Sequence, residues 1–201
     1  KEQIKMSLST LKKYLLLIII CILFSFSSTT LAQVETSGIE VPKYLQIRNG
    51  EELELFGAGP RKILWIDVYW VAVYFNDKDF SANQLINSNK TMGLRLYMKS
   101  SLVTKSRIKS AIERGFNKST EGNYHKYKSR MEQLIDSFEE EINKNDIIDL
   151  VYYPTGETYF YKNNQYLGII KGLDFKQALY GIWLSQNCVD NSLKSDLMQR
   201  L

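Results

Sequence analysis

From Tyr44 to Met98 the apolar positions fall at strand spacing. "YLQIRNGEELELF" predicts two short strands around Asn49-Gly50, a dipeptide that supplies the positive φ angles of a type I′ turn. After "GAGP", the run from Lys62 to Phe75 is rich in β-branched and aromatic residues with both parities apolar. That pattern suits a central strand covered on both faces. "MGLRLYM", Met92 to Met98, alternates and predicts a further strand, with Arg95 pointing outward between Leu94 and Leu96.

The period then becomes helical. In "TKSRIKSAIERGF", Ile108, Ala111, Ile112, Gly115 and Phe116 share one helix face. A second helix carries Tyr124, Tyr127, Met131, Leu134, Ile135, Phe138 and Ile142 on one stripe. "DIIDLVYYPTGETYFYKNNQYLGIIKG" returns to strands, punctuated by Pro154-Thr155-Gly156 and Asn163-Asn164. Two helices close the chain. One opens with Asp174 as its cap and buries Phe175, Ala178, Leu179, Ile182 and Trp183; the other starts near Asp190 with Leu193, Leu197 and Leu201. Strands, helices, strands, helices predict an α+β fold, an antiparallel sheet with helices packed on one face. A slot between the two layers is a natural place for an apolar ligand.

The first 32 residues fall outside this pattern. Lys12 and Lys13 precede the apolar run "YLLLIIICILFSF", and small and polar residues end at Thr30-Leu31-Ala32. That order is expected of a secretory signal cleaved near Ala32, and the run is short of the roughly 20 residues a membrane-spanning helix needs. The remaining segment, residues 33–201, is expected to be one domain in a periplasmic or secreted protein. It carries 22 basic against 21 acidic residues, so the formal charge of +4 mostly belongs to the leader and gives no electrostatic case for nucleic acid. Cys188 is the one cysteine of this segment, so no intramolecular disulfide is expected.

The chemistry is sparse. One histidine, His125, argues against His-rich zinc sites and a Ser-His-Asp triad. There is no CxxC pair, phosphate loop or dinucleotide fingerprint, and neither cofactor nor metal is expected. What stands out are polar residues inside apolar patterns. Arg61, Asp67 and Tyr69 share one parity after the "GAGP" turn, which would place them on one face of an unbroken strand. Arg61 and Tyr69 would then lie about 27 Å apart. Asp67 is a structural partner for Arg61 or Lys62 as readily as a ligand contact.

"NGEELELFGAGPRKILWIDVYWVAVYF", the helix ending in "ERGF", and "DIIDLVYYPTGETYFYKNNQYLGIIKGLDFKQALYGIWLS" together resemble the chalcone isomerase superfamily. More narrowly, they resemble its exported bacterial members. The resemblance implies an open-faced β-sandwich. True isomerases close a flavanone ring with an arginine that stabilises the phenolate, helped by a threonine, a tyrosine and an asparagine. Plant fatty-acid-binding members keep the arginine and use the cleft for a carboxylate with an acyl tail. Matched residue by residue, Arg61 falls on the arginine, Tyr69 on the threonine, Thr104 on the tyrosine and Ala111 on the asparagine.

Ala111 has no hydrogen-bond donor, and Thr104 is a far weaker acid than a phenol. Losing such donors costs roughly 3 kcal/mol each in transition-state stabilisation, so efficient chalcone cyclisation is not expected. The expectation is a non-catalytic binding protein for a fatty acid or similar amphipathic anion, with Arg61, Tyr69 and Thr104 as ligand-binding residues. The alternatives are an isomerase or lyase of another substrate that uses Arg61, and an interaction protein with a protein partner whose cleft is filled by its own side chains.

Overall fold

The computed structural model describes residues 33–36, 39–101, 105–138 and 141–199. The expected export signal, within residues 1–32, and Thr104 lie outside the described residues.

Among the described residues, nine strands alternate with short turns and three helical segments. A small hairpin comes first, β1 (Gln33–Thr36) with β2 (Ile39–Pro42). Then β3 (Tyr44–Gln46), β4 (Glu52–Ile63), β5 (Ile66–Tyr74), β6 (Met92–Met98), β7 (Ile147–Tyr153), β8 (Glu157–Lys162) and β9 (Gln165–Lys171) form one antiparallel sheet. Its spatial order follows the sequence from β3 to β9. Helix α1 (Ala82–Asn87) interrupts β5 and β6, and α2 (Lys105–Ser119), a 3₁₀ turn (Tyr124–Tyr127) and α3 (Lys128–Asp136) separate β6 from β7. Helices α4 (Leu173–Leu184) and α5 (Asn191–Leu197) close the chain. The α+β sandwich expected from the pattern is the fold.

Strand parity sorts two cores. Val71, Val73, Leu94, Leu96, Leu150 and Phe160 point to the helices and meet Phe116, Met131, Phe175, Leu179 and Trp183. Trp70, Ala72 and Tyr74 point the other way, to a second core with Ile39, Val41, Leu45 and Leu53. This is why β5 is apolar at both parities: each face is covered.

Several local expectations need correction. Between β3 and β4 only Gly50 is left-handed (φ 79°), and its N–H donates to the Ile47 carbonyl at 3.0 Å, so the bend is an Ile47–Gly50 turn rather than a type I′ turn at Asn49-Gly50. Between β8 and β9, Asn163 and Asn164 both take positive φ angles (51° and 66°). "GAGP" is no turn at all. β4 runs through it to Ile63, and the chain reverses at Leu64-Trp65 instead. β3 pairs only with Glu52 to Glu54, so the rest of β4 is an edge on that side, where a proline is accommodated. Leu64 takes φ 57°, a conformation that costs a side-chain-bearing residue roughly 1–2 kcal/mol.

Arg95 is mostly buried rather than solvated, with 14% of its side chain exposed. Its Nε and Nη2 donate to Asp149 Oδ1 and Oδ2 at 2.6 and 2.8 Å, directly across β6 and β7, on the face away from the helices. On α2, Ala111 is exposed while Gly115 and Phe116 are buried, so the buried stripe is narrower than its period suggests. The second helix stops at Asp136; Phe138 and Ile142 are buried beyond its end. Helix α4 is capped by Gly172, and Asp174, inside its first turn, instead takes a two-pronged hydrogen bond from Arg130 of α3. Asp190 is the cap of α5, as expected.

Candidate functional site

The reversal at Leu64-Trp65 brings Arg61 and Tyr69 to directly opposite positions on β4 and β5. The long separation expected of one unbroken strand therefore disappears. Asp67 pairs in register with Lys62, whose Nζ lies 3.8 Å from its carboxylate, so it is a partner of Lys62 rather than Arg61. A register shift between Arg61 and Lys62 marks an irregularity where β4 approaches its end.

The glycines of "GAG" decide what lies over the site. A Cβ on Gly57 would run into the backbone carbonyl of Leu197, and one on Gly59 would come 2.5 Å from the Asp196 Cβ. With hydrogen in those places, α5 lies directly on the β4 backbone, and its N-terminus is carried to Arg61. There Arg61 Nη1 donates to Asp190 Oδ2 at 2.8 Å and also to the backbone carbonyl of its neighbour Lys62. The other oxygen of Asp190 accepts from the N–H groups of Ser192 (2.9 Å) and Leu193 (3.2 Å). One carboxylate thus caps a helix and holds the guanidinium. Both side chains keep roughly a fifth of their surface exposed (23% and 19%), so the pair sits at the rim.

Tyr69 turns toward the helical layer and packs against the core there. Its hydroxyl oxygen accepts a 3.1 Å hydrogen bond from Trp183 Nε1 of α4. Burial pushes the Tyr69 phenol up; the Trp183 hydrogen bond and the nearby Arg61 charge act in the opposite direction without cancelling it. At neutral pH the phenol is therefore protonated and remains a donor.

The structure brings Arg61 and Tyr69 together. Thr104 lies outside the described residues, and Ala111 is exposed on α2. Two participants were not picked out in the sequence: Trp183, which reads as one more core residue of an apolar helix, and Asp190, which reads only as a cap. The signal for Asp190 was its type, since a capping carboxylate has a second oxygen able to accept from a cation.

Residues 33–199 match the family described as chalcone isomerase-like. The chain belongs to the chalcone isomerase-like family. No curated protein matches the sequence. Among solved structures, this family member is similar to a fatty-acid binding protein of Arabidopsis thaliana, with a TM-score of 0.65 at 15% identity. The match covers 83% of this chain and 96% of that one. At that identity the likeness concerns the fold.

Proposed function

We propose that this chalcone isomerase-like protein is an exported, non-catalytic binding protein for a fatty acid or a similar amphipathic anion. The observation that carries the reading is the pairing of Arg61 with Tyr69, a permanent cation beside a protonated phenol at the edge of an apolar layer. The hydrogen bonds of Arg61 to Asp190 and to the Lys62 carbonyl leave from Nη1, so the Nε–Nη2 edge of the fork would face an incoming carboxylate. Tyr69 supplies a second donor. The acyl tail would run into the layer where Val71, Leu96 and Trp183 meet. The fatty-acid binding of the Arabidopsis neighbour supports the class of ligand. Exposure of Ala111, where the isomerases carry a donor, speaks against ring closure.

A second reading has its own observation. Arg61 is bonded to Asp190, and the space between sheet and helices holds a continuous buried core, as in an interaction protein whose cleft is filled. Titration of laurate into the protein, followed by calorimetry, separates the two. Saturable binding lost in Arg61→Met supports the carrier; no binding in either protein supports the filled cleft.

A further inference from the structure

The hairpin that carries Arg61 and Tyr69 ends in four consecutive large apolar residues facing solvent. Ile63 is 55% exposed, Leu64 79%, Trp65 84% and Ile66 42%. Among the described residues only Tyr44 and Tyr166 are other exposed large hydrophobics, so the tip is a patch and not scatter. The turn itself sharpens the point. Leu64 holds φ 57°, where glycine, asparagine or aspartate is favoured, so an apolar side chain stands at the apex against its backbone preference.

We propose that this tip inserts into the interfacial zone of an anionic lipid surface. A convex end of four side chains offers roughly a few hundred Å² of apolar area. A stable protein interface needs about 800 Å² per partner. The area suits shallow insertion between headgroups, where an indole places its ring in the apolar zone and its N–H among polar groups. The surrounding charge fits the same surface. Lys62 adjoins the tip with 55% of its side chain exposed, and Lys99, whose N–H donates to the Val68 carbonyl, stands at the same end of the sheet. Asp67 and Asp190 face Lys62 and Arg61 respectively, and Asp146, whose carbonyl accepts from the Met98 N–H, faces Lys162 at 3.4 Å. Each of these carboxylates is thus matched by a cation, which leaves Lys99 in excess, and long lysine stems let ammonium groups reach phosphates while the tip is buried.

Docking of the tip does not depend on the fatty-acid reading. If both hold, the head-group site lies a few residues from the lipid, which would give the ligand a short path between membrane and protein.

Brominated lipids test the tip itself. Trp70 and Trp183 are buried (4% and 6% exposed), so Trp65 is the tryptophan that acyl-chain bromine can quench. The full chain is mixed with vesicles of phosphatidylcholine and phosphatidylglycerol carrying brominated chains. Quenching of the wild type, and its loss in Trp65→Phe and Leu64→Asp, is the expected result. Aspartate tolerates the Leu64 backbone, so that loss would not reflect misfolding. Lys62→Glu should weaken quenching on the anionic vesicles more than on pure phosphatidylcholine. Unquenched Trp65 overturns the proposal. So does a Trp65 blue shift that follows protein concentration without vesicles, which would assign the tip to a second copy. Laurate titration stands apart: Leu64→Asp should still bind it and Arg61→Met should not, so either idea can fail alone.

Discussion

Asp190 uses its two oxygens for two different partners: Oδ2 accepts from Arg61 Nη1 at 2.8 Å, and Oδ1 accepts from the Ser192 and Leu193 N–H groups in the first turn of α5. The residues are 129 positions apart, yet the contact fastens the β4–β5 hairpin to the last helix. It also means that an anion arriving at Arg61 meets a guanidinium already shared with a carboxylate.

Asp190→Asn isolates that competition. Asparagine caps a helix about as well as aspartate, so α5 should persist, while the charge that competes for Arg61 is gone. At a rim position the lost pair should cost no more than about 1 kcal/mol in a urea titration. Calorimetry should show laurate binding several-fold tighter than in the wild type. Unchanged or weaker binding would count against Arg61 as the head-group site.

The glycines of β4 should differ in tolerance. Gly57→Ala drives a methyl into the Leu197 backbone, which has no rotamer to escape through, whereas Gly59→Ala meets the Asp196 side chain. Overpacking of this kind costs about 1–3 kcal/mol, and Gly57→Ala should show the larger loss in melting temperature. Equal losses, or none, would mean that α5 does not rest on β4 as described.

Lys176 is fully buried on α4, and its Nζ donates to the carbonyls of Leu85 (2.7 Å), Ile86 (2.9 Å) and Ser88 (2.9 Å) at the end of α1. Burial pulls this amine down to about 7. Three accepting carbonyls and the negative end of the helix act to hold the charged form. Lys176→Met keeps the volume but orphans all three carbonyls, and a loss of about 3 kcal/mol or more is expected from chemical denaturation. A neutral substitution would show that α1 finds other caps.

Acid should weaken the fold below about pH 4. Asp174 is held below its ordinary value by the Arg130 hydrogen bonds, against the effect of burial. For Asp146, burial raises the pKa, but hydrogen bonds from the Asn143 N–H, Asn163 and Lys162 outweigh it. A carboxyl whose folded pKa is depressed contributes stability that is fully present above its unfolded value of about 3.9 and is lost as pH falls toward the folded one. Urea midpoints should be level at mildly acidic pH and drop below about pH 4, with a shallower drop in Asp174→Asn. An identical acid slope in that variant would remove Asp174 from the account.

Much of the fold was legible because its causes are local. Alternating parity marked β6, two-sided apolarity marked β5 as covered on both faces, and Asp190 announced the start of α5. Errors arose where one local signal had two outcomes. Asn49-Gly50 and Asn163-Asn164 both permit left-handed backbone, and the ladder on either side decides which residues adopt it. "GAGP" has turn composition, but its glycines serve the close approach of α5. Asp174 has the composition of a cap, but Arg130, 44 positions earlier, claims its carboxylate.

By itself the sequence determined the class of the fold, the family resemblance and the identity of Arg61 as the residue to watch. Those follow from periodicity and residue type, which act over a few neighbouring positions. Only the tertiary structure decided that Tyr69 stands opposite Arg61, that Trp183 and Asp190 hydrogen-bond to that pair, and that four apolar residues crown the hairpin. The chain reversal at Leu64-Trp65 fixes the first and last of these. The packing of α4 and α5 on the sheet fixes the other, through contacts more than a hundred residues apart that no local pattern encodes.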